Sequence, residues 1–554
     1  MRAFKFFLSL FLLFSCMSIS IFSIPVKVNY SQSAKAVEVY DLIEITLNVD
    51  KPDAINPFID VTVKGEFITG GASPIKVDGF CDSDDGSIYR IRFMPSKSGK
   101  YTGSILFQQG DFKDSYSLTF TAIKSNRRGP VRVDRDYPFH FVWEGTGEHY
   151  FWNSTTCYAL VGWRDDAIIR ESIDRMHKFK INRIRAAIFP PRVASGNAWI
   201  EPTVQNDNNF SFLTNPWPAS SPDSVDNPGY DISRFNIDHW QKYERLVKYA
   251  NERDFIISAI FYVDGRKPGN YPFRENPAGE DEKRYYRYAI ARLASFSNIM
   301  WDVSNEYNLF LDEAWAEKMG AFLKECDPYD HVTSIHHAAK DFNFRTSPWV
   351  DFASYQQWDE NGAYEFMLHN REVQVKTDKP MPQVNEEYGY EDHYPTKWGG
   401  NRQWPARTAD NRRRLAWEMT MAGAYQSTGE RANVPGYGGW ITGRGNDEMV
   451  MLIGYAYLRD FFETIPWWRL EPDRKFADNN ALCLAETDKR YILYLPKGGM
   501  TKFNLNMGGY SAKWYNPRNG TYTKKTKLTG GQSNSVSAPD TEDWVFIIEA
   551  VTKK

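Results

Sequence analysis

The chain has 554 residues, 42% of them hydrophobic, and a formal net charge of −3. One hydrophobic core seldom serves more than roughly 250–300 residues, so two or three domains are expected. The near-neutral balance supplies no basic field for a polyanion, which argues against nucleic acid as a partner.

The first residues read as an export leader over 1–24: Arg2 and Lys5 form a charged start, and Phe6 to Phe14 an apolar run too short to span a bilayer. Leu13-Phe14-Ser15-Cys16 has the form of a lipoprotein processing box, in which Cys16 would become the lipidated first residue and anchor the chain to a membrane. A competing cut lies near Ser23, so a secreted, periplasmic or surface-anchored product is expected either way. The other cysteines, Cys81, Cys157, Cys326 and Cys483, lie far apart with neither a disulfide framework nor metal-ligand spacing, and read as buried thiols.

Residues 25–124 alternate apolar and polar, as in Ile43, Ile45, Leu47 and Val49, with Gly- and Ser-rich breaks. That period predicts a small antiparallel sandwich. Its Asp82, Asp84 and Asp85 read as a solvated acidic turn. Ser125 to Pro130 reads as a linker, and from there to Pro466 strand and helix patterns alternate.

Seven apolar strands are predicted at Tyr158 to Gly162, Ile181 to Ile188, Phe255 to Tyr262, Ile299 to Ser304, Val332 to Ile335, Phe352 to Tyr355 and Pro382 to Asn385, with an eighth around Met421 to Gln426. Helical faces fall between them, including Trp240, Tyr243, Leu246, Val247 and Ala250, and Trp315, Met319, Phe322 and Leu323 behind Asp312 as cap. Eight such units over 125–466 match a (β/α)8 TIM barrel. A doubly wound sheet is the alternative, but Gly162-Trp163-Arg164-Asp165 stands where a Gly-rich phosphate loop belongs, and no cofactor is expected. The largest insertion, from about Arg192 to Asp231, carries Trp199, Phe210, Phe212, Trp217 and Tyr230 over the C-terminal mouth. After Pro466 the alternation returns, so a second small β-sandwich closes the chain over 467–554.

Breaking a glycosidic bond takes one carboxylic acid to protonate the leaving oxygen and a second carboxylate to stabilise or capture the oxocarbenium-like centre. Glu306, in Val303-Ser304-Asn305-Glu306-Tyr307, ends the fourth predicted strand, and Glu387, in Asn385-Glu386-Glu387-Tyr388-Gly389, ends the seventh. Adjacent strand residues point oppositely, so only one of Glu386 and Glu387 can face the mouth, and the other would pair with a cation or cap a turn. With aromatics at 16%, rings for packing against sugar faces are plentiful.

A fourth strand ending Asn-Glu and a seventh ending Glu-Tyr-Gly resemble the clan A retaining glycoside hydrolases. The resemblance implies Glu306 as general acid/base, Asn305 as the partner of the substrate 2-hydroxyl, Glu387 as nucleophile, and a carbohydrate substrate. More closely, the chain resembles the apiosidase-like barrel hydrolases that carry an N-terminal immunoglobulin-like domain and a C-terminal "putative collagen-binding" β domain. The cues for the latter are Trp467-Trp468-Arg469-Leu470 and Trp514-Tyr515-Asn516-Pro517-Arg518-Asn519-Gly520.

Supporting substrate contacts are expected from Trp163, Arg185, His336, Trp358 and Trp440. Tyr355 joins them because clan A relatives often set an aromatic hydroxyl beside the nucleophile. Adjacent His336 and His337 point apart in a strand, so no shared metal is expected. A polysaccharide lyase would cluster Arg or Lys around a Tyr or His base. Asn411-Arg412-Arg413-Arg414 is basic but reads as the solvated face of a helix. A non-catalytic glycan-binding barrel would lack one carboxylate, and a serine esterase would need a Gly-x-Ser-x-Gly elbow, which is missing from the sequence.

Overall fold

A computed structural model describes residues 27–193, 207–392, 407–432, 434–478 and 480–551. The leader with Cys16 and Trp199 of the second loop lie outside them. Eight parallel strands form one sheet: β1 (Ser154–Thr156), β2 (Arg183–Ala187), β3 (Ile256–Ile260), β4 (Ile299–Asp302), β5 (Thr333–Ser334), β6 (Ala353–Gln356), β7 (Gln383–Glu387) and β8 (Tyr425–Thr428). Their order is β5-β4-β3-β2-β1-β8-β7-β6, and pairing of Ser154 with Ser427 joins the first strand to the last. At the remaining seam, Ser334 Oγ donates to Phe352 O at 2.7 Å, and Asp351 N to Thr333 O at 2.8 Å. The sheet is thereby a nearly closed TIM-like barrel.

Among the described residues the longer helices that wrap it are α1 (Asp166–Lys178), α2 (Ile237–Asn251), α3 (Glu280–Leu293), α4 (Glu313–Cys326), α5 (Ala363–Val375), α6 (Ala409–Met421) and α7 (Met451–Glu463). The α2 face Trp240, Tyr243, Leu246, Val247 and Ala250 is buried. Asp312 caps α4 by accepting from Trp315 N at 2.8 Å. The β5–β6 connection, 335–352, carries no helix.

Two strands lie elsewhere than hydropathy placed them. Tyr158 to Gly162 is not the first strand; Leu160–Gly162 is a 3-10 turn, and the strand is the polar Ser154-Thr155-Thr156 before it. Ser154 faces a polar barrel interior, where Arg183 bonds its Oγ at 3.1 Å and Ser258 Oγ at 2.8 Å. Met421 belongs to α6, and Gly423 at φ +69° turns the chain into β8. A left-handed φ of that kind suits glycine.

The N-terminal region packs a four-stranded sheet (27–32, 43–50, 88–93, 80–81) with a five-stranded one (36–38, 112–123, 99–109, 61–69, 75–78). Ile43, Ile45, Leu47 and Val49 are all buried, as the alternation requires. The C-terminal region is a seven-stranded sheet with a two-stranded companion.

Asp82 is not solvated: it is buried and joins the sandwich to the barrel through Arg292 of α3, with Arg90 Nε at 2.6 Å on its other oxygen. Nor do Arg412 and Arg413 form a solvated face. Arg412 is buried on Glu360 and the carbonyls of Tyr388 and Gly389, and Arg413 grips Asp543 of the C-terminal sheet at 2.8 and 3.2 Å. A charge run in sequence reveals nothing of the acids that meet it in space. Cys81, Cys157 and Cys483 are buried free thiols, and Cys326 is half-buried. No helix among the described residues is long and apolar enough to cross a membrane.

Candidate active site

β4 ends at Asp302, and the chain then turns through Ser304, Asn305 and Glu306 at the barrel mouth. Asn305 N donates to Tyr262 O at 2.9 Å and Tyr307 N to His336 O at 3.2 Å, so neighbouring loops hold the turn on both sides. Between these bonds Glu306 takes the left-handed conformation, φ +49° and ψ +42°. A non-glycine residue there costs ~1–3 kcal/mol and persists where its surroundings over-determine it.

Glu387 is the last residue of β7. The β6–β7 register slips there: Tyr355 pairs with Asn385, but Gln356 pairs with Glu387, passing over Glu386. The adjacent acids accordingly separate. Glu386 turns into the barrel, where Arg183 grips it at 2.8 and 3.0 Å. Glu387 meets the Tyr158 hydroxyl at 2.9 Å on Oε2 and the Gln356 amide at 3.2 Å on Oε1.

Tyr158 is the hub beneath the pair. Its hydroxyl accepts from Arg185 at 3.3 Å and from Tyr390 at 3.0 Å, and offers its proton to Glu387 or to Asn305 Oδ1, the latter at 3.1 Å. Arg185, also at 3.0 Å, and His336 Nδ1, at 2.6 Å, meet the same Asn305 oxygen. Burial holds His336 neutral, well below the usual imidazole range, so its Nδ1–H is the donor. Two donors, Arg185 and His336, on one side-chain oxygen fix the amide's sense and leave its Nδ2 group for a ligand.

The Glu387 pKa is raised from the ordinary 4.5 to about 8, by burial first and the Glu306 charge next, against the pull of the Arg185 charge and the Tyr158 hydroxyl. Burial also raises Glu306, with Asp264 adding to the rise and Gln356, Arg266 and Arg185 opposing it. Two acids that feel each other this way titrate as a unit and hold one proton between them over an intermediate pH range. Among the described residues no group of three or more His, Cys, Asp or Glu is arranged to hold a metal ion.

The description "Apiosidase-like, catalytic domain" matches residues 140–429, more than half of the chain. The chain belongs to the apiosidase-like family. Residues 36–108 match a domain of unknown function (DUF5060), and 473–549 a "Putative collagen-binding domain of a collagenase". Among solved structures, the chain is similar to "a putative glycoside hydrolase" from Bacteroides vulgatus, at 22% identity and a TM-score of 0.76, over 94% of this chain and all of that one. It is also similar to a glycoside hydrolase family 5 protein from the same organism, at 15% identity and a TM-score of 0.59, over 76% of this chain and 94% of that one. A further similar structure is called simply a glycoside hydrolase, at 16% identity and a TM-score of 0.58, over 77% of this chain and 98% of that one. No protein of curated function matches the chain.

In this apiosidase-like barrel the expected contact residues divide into two groups. Asn305, Arg185 and His336 converge beneath the pair. Arg185 reaches Glu387 through Tyr158 and is itself paired with Asp302 at 3.2 Å, so it is both an ion-pair partner and a support of the site. Trp440 lies flat on Tyr390, centroids 4.1 Å apart at 3°, and edge-on to Tyr158 at 6.2 Å. Trp358 is half-buried and meets Tyr390 at 6.2 Å.

Tyr355 and Trp163 stand apart from that group. Tyr355 is buried, its hydroxyl donating to Gln383 at 2.6 Å. The hydroxyl on Glu387 comes instead from Tyr158, after β1, which in turn accepts from Tyr390, after β7. Trp163 is wholly buried, its N–H on Thr442 O at 2.9 Å, with Phe210 edge-on at 4.9 Å and the Arg444 guanidinium over its ring at 5.2 Å. Of the second-loop aromatics, Phe210, Phe212 and Trp217 are buried too. Tyr158 and Gln356 are the site residues that sequence reasoning passed over as contacts. The signal for Gln356 was its place one residue beyond Tyr355 in a strand of period two.

Proposed function

We propose that the chain is a glycosidase that cleaves a poly- or oligosaccharide with retention, Glu306 serving as acid/base and Glu387 as nucleophile. The observation that carries the reading is that Glu306, in the turn after β4, and Glu387, at the end of β7, share one buried site in which the Glu306 charge raises the pKa of Glu387, whose carboxylate takes the Gln356 amide at 3.2 Å. Retention would require the two carboxyls ~5–5.5 Å apart, inversion ~6.5–9.5 Å. Asn305 Nδ2 is placed to donate to the sugar's 2-hydroxyl, and the flat Tyr390–Trp440 stack to support the ring.

The lyase alternative loses its basic cluster, since Arg412, Arg413 and Arg414 are engaged with Glu360, Asp543 and Glu542. We also propose export, on the strength of the leader; mass analysis of the mature N-terminus distinguishes a lipidated Cys16 from a cut near Ser23.

Screening the protein against plant and marine polysaccharides, with products read by mass and the first-formed anomer by NMR, tests the reading. Glu387→Gln should abolish turnover while glycan binding persists. Glu306→Ala should slow substrates with poor leaving groups far more than activated aryl glycosides. Full activity in the Glu387 variant would sink the assignment.

A further inference from the structure

Glu282, in the first turn of α3, is wholly buried behind the barrel mouth and takes no part in the chemistry proposed above. Its Oε2 accepts from Ala278 N at 2.6 Å, from the Tyr271 hydroxyl at 3.2 Å and from Trp315 Nε1 at 3.2 Å, and its Oε1 accepts from the Tyr262 hydroxyl at 2.8 Å. All four partners are neutral donors. The cations of the same helix, Lys283, Arg284 and Arg287, pair instead with Glu280 and Asp281. Burying a carboxyl is costly unless its lone pairs are filled, and four donors match the four acceptor sites of a carboxylate. A position needed only for packing would be served by an apolar side chain.

The partners of Glu282 stand on both flanks of the turn that carries Glu306. Before the turn, Tyr262 follows β3, and its carbonyl accepts from Asn305 N at 2.9 Å. After it, Leu309 N donates to Glu306 O at 3.1 Å, Leu311 N to Tyr307 O at 2.9 Å, and Asp312 caps α4 on Trp315 N at 2.8 Å. Glu282 closes this path into a ring, from the Tyr262 hydroxyl round to the Trp315 indole. Four residues further along the same face of α3, Tyr286 donates to Val303 O at 3.1 Å and holds the turn at its start. The left-handed backbone of Glu306 lies inside that ring, where held flanks keep it in place.

We propose that Glu282 is a positioning residue for Glu306, clamping its turn from both flanks through Tyr262 and Trp315. The catalytic meaning of this rests on the function proposed above; the clamp itself does not. An acid must present its proton in line with the leaving oxygen, and a misplacement of ~1 Å costs about a hundredfold in rate.

Glu282→Met keeps the bulk and removes all four acceptor contacts. In hydrogen–deuterium exchange the amides of residues 303–310 should exchange about tenfold faster or more, with those of β7 unchanged. Parent rates over 303–310, or an equal acceleration in β7, would overturn the clamp. Glu282→Gln is the conservative counterpart: its amide oxygen replaces Oε2 for three donors, and its nitrogen donates to the Tyr262 hydroxyl oxygen, so parent rates should return. Exchange as fast as in the Met variant would count against the contacts named. Tyr262→Phe breaks the Oε1 contact alone and should speed exchange at Asn305 about fivefold. If the Met variant does not fold, an unchanged Asn305 amide in Tyr262→Phe overturns the proposal.

On a substrate found by the screen, kcat/KM of Glu282→Met should fall about tenfold or more with poor leaving groups and much less with activated aryl glycosides, while Glu282→Gln stays close to the parent. Equal losses on both substrates would contradict positioning of the acid. Full activity in Glu306→Ala, with faster exchange over 303–310 in Glu282→Met, would remove the catalytic reading and leave the clamp standing.

Discussion

Tyr158→Phe removes a single oxygen at the point where the support of the pair converges. In the intact protein that oxygen donates to Glu387 at 2.9 Å and is itself polarised by Arg185 at 3.3 Å and Tyr390 at 3.0 Å. A hydrogen bond to a charged group contributes ~1.5–3 kcal/mol, and 1.36 kcal/mol corresponds to one pH unit. Losing it should therefore raise the lower titration of the pair by ~1–2 pH units. The sign follows from the role: Glu387 must be ionised to attack, so activity rises with pH as it deprotonates, and the acidic limb should move to higher pH.

On that limb, at fixed pH, the rate should drop about ten- to hundredfold, because each pH unit is a factor of ten. The assay is kcat/KM against pH, beside the melting temperature as a check on folding. Tyr390→Phe is the internal control. It removes a donor from the Tyr158 hydroxyl but leaves that hydroxyl's bonds to Glu387 and Arg185 intact, so its limb should move less. A folded Tyr158 variant whose acidic limb stays in place would refute the reasoning, since the hydroxyl would then contribute nothing to the charged form.

Arg183→Met should destabilise the barrel by ~3–5 kcal/mol in urea unfolding, because it strands Glu386 in the interior. Arg183→Met with Glu386→Leu should regain part of that loss; no regain would mean that the pair itself is not the cause. Arg413→Ala should cost about 3 kcal/mol and split the calorimetric transition as the C-terminal sheet, left with buried Asp543, melts first. Burial lifts Glu418 to about 7, so the fold binds its proton more tightly than the unfolded chain does, and the associated stability is lost as pH rises through that value. Glu418→Gln should accordingly match the parent near pH 4 and exceed it by up to ~3 kcal/mol near pH 8, in paired denaturation curves.

The parts of the fold legible from sequence were those where burial follows hydropathy. Ile256 to Ile260 and Ile299 to Asp302 are apolar runs that end at a site, and Ile43 to Val49 alternates because one face is covered. The strands that escaped are polar or displaced. Ser154-Thr155-Thr156 lines a barrel interior filled with guanidinium and hydroxyl groups, so no apolar run marks it, and the turn after it looks more like a strand. At the site, the two glutamates stood out because each ends a strand beside a turn. The groups that tune them did not: Tyr158 and Gln356 acquire their roles from strand register and from the slip at Glu386, which depend on pairings between distant segments.

The buried charges beneath the pair explain how Arg185 can support Glu387 without fixing it as a permanent anion. A lone guanidinium ~6 Å from a carboxylate, at an effective dielectric near 20, favours the charged form by ~3 kcal/mol as a general magnitude. The Arg185 charge does lower the Glu387 pKa, but burial and the Glu306 charge outweigh it. Arg185 is not alone: Asp302 lies 3.2 Å from it, and Glu386, shared with Arg183, lies 3.7 Å from its Nε. Two cations facing two acids bring the net charge of the layer near zero, while the guanidinium's directional bonds to Tyr158 and Asn305 remain. Such a network adds little to stability over an apolar core. What it provides is donors fixed in direction with their field largely cancelled, a suitable base for two acids that carry one negative charge between them.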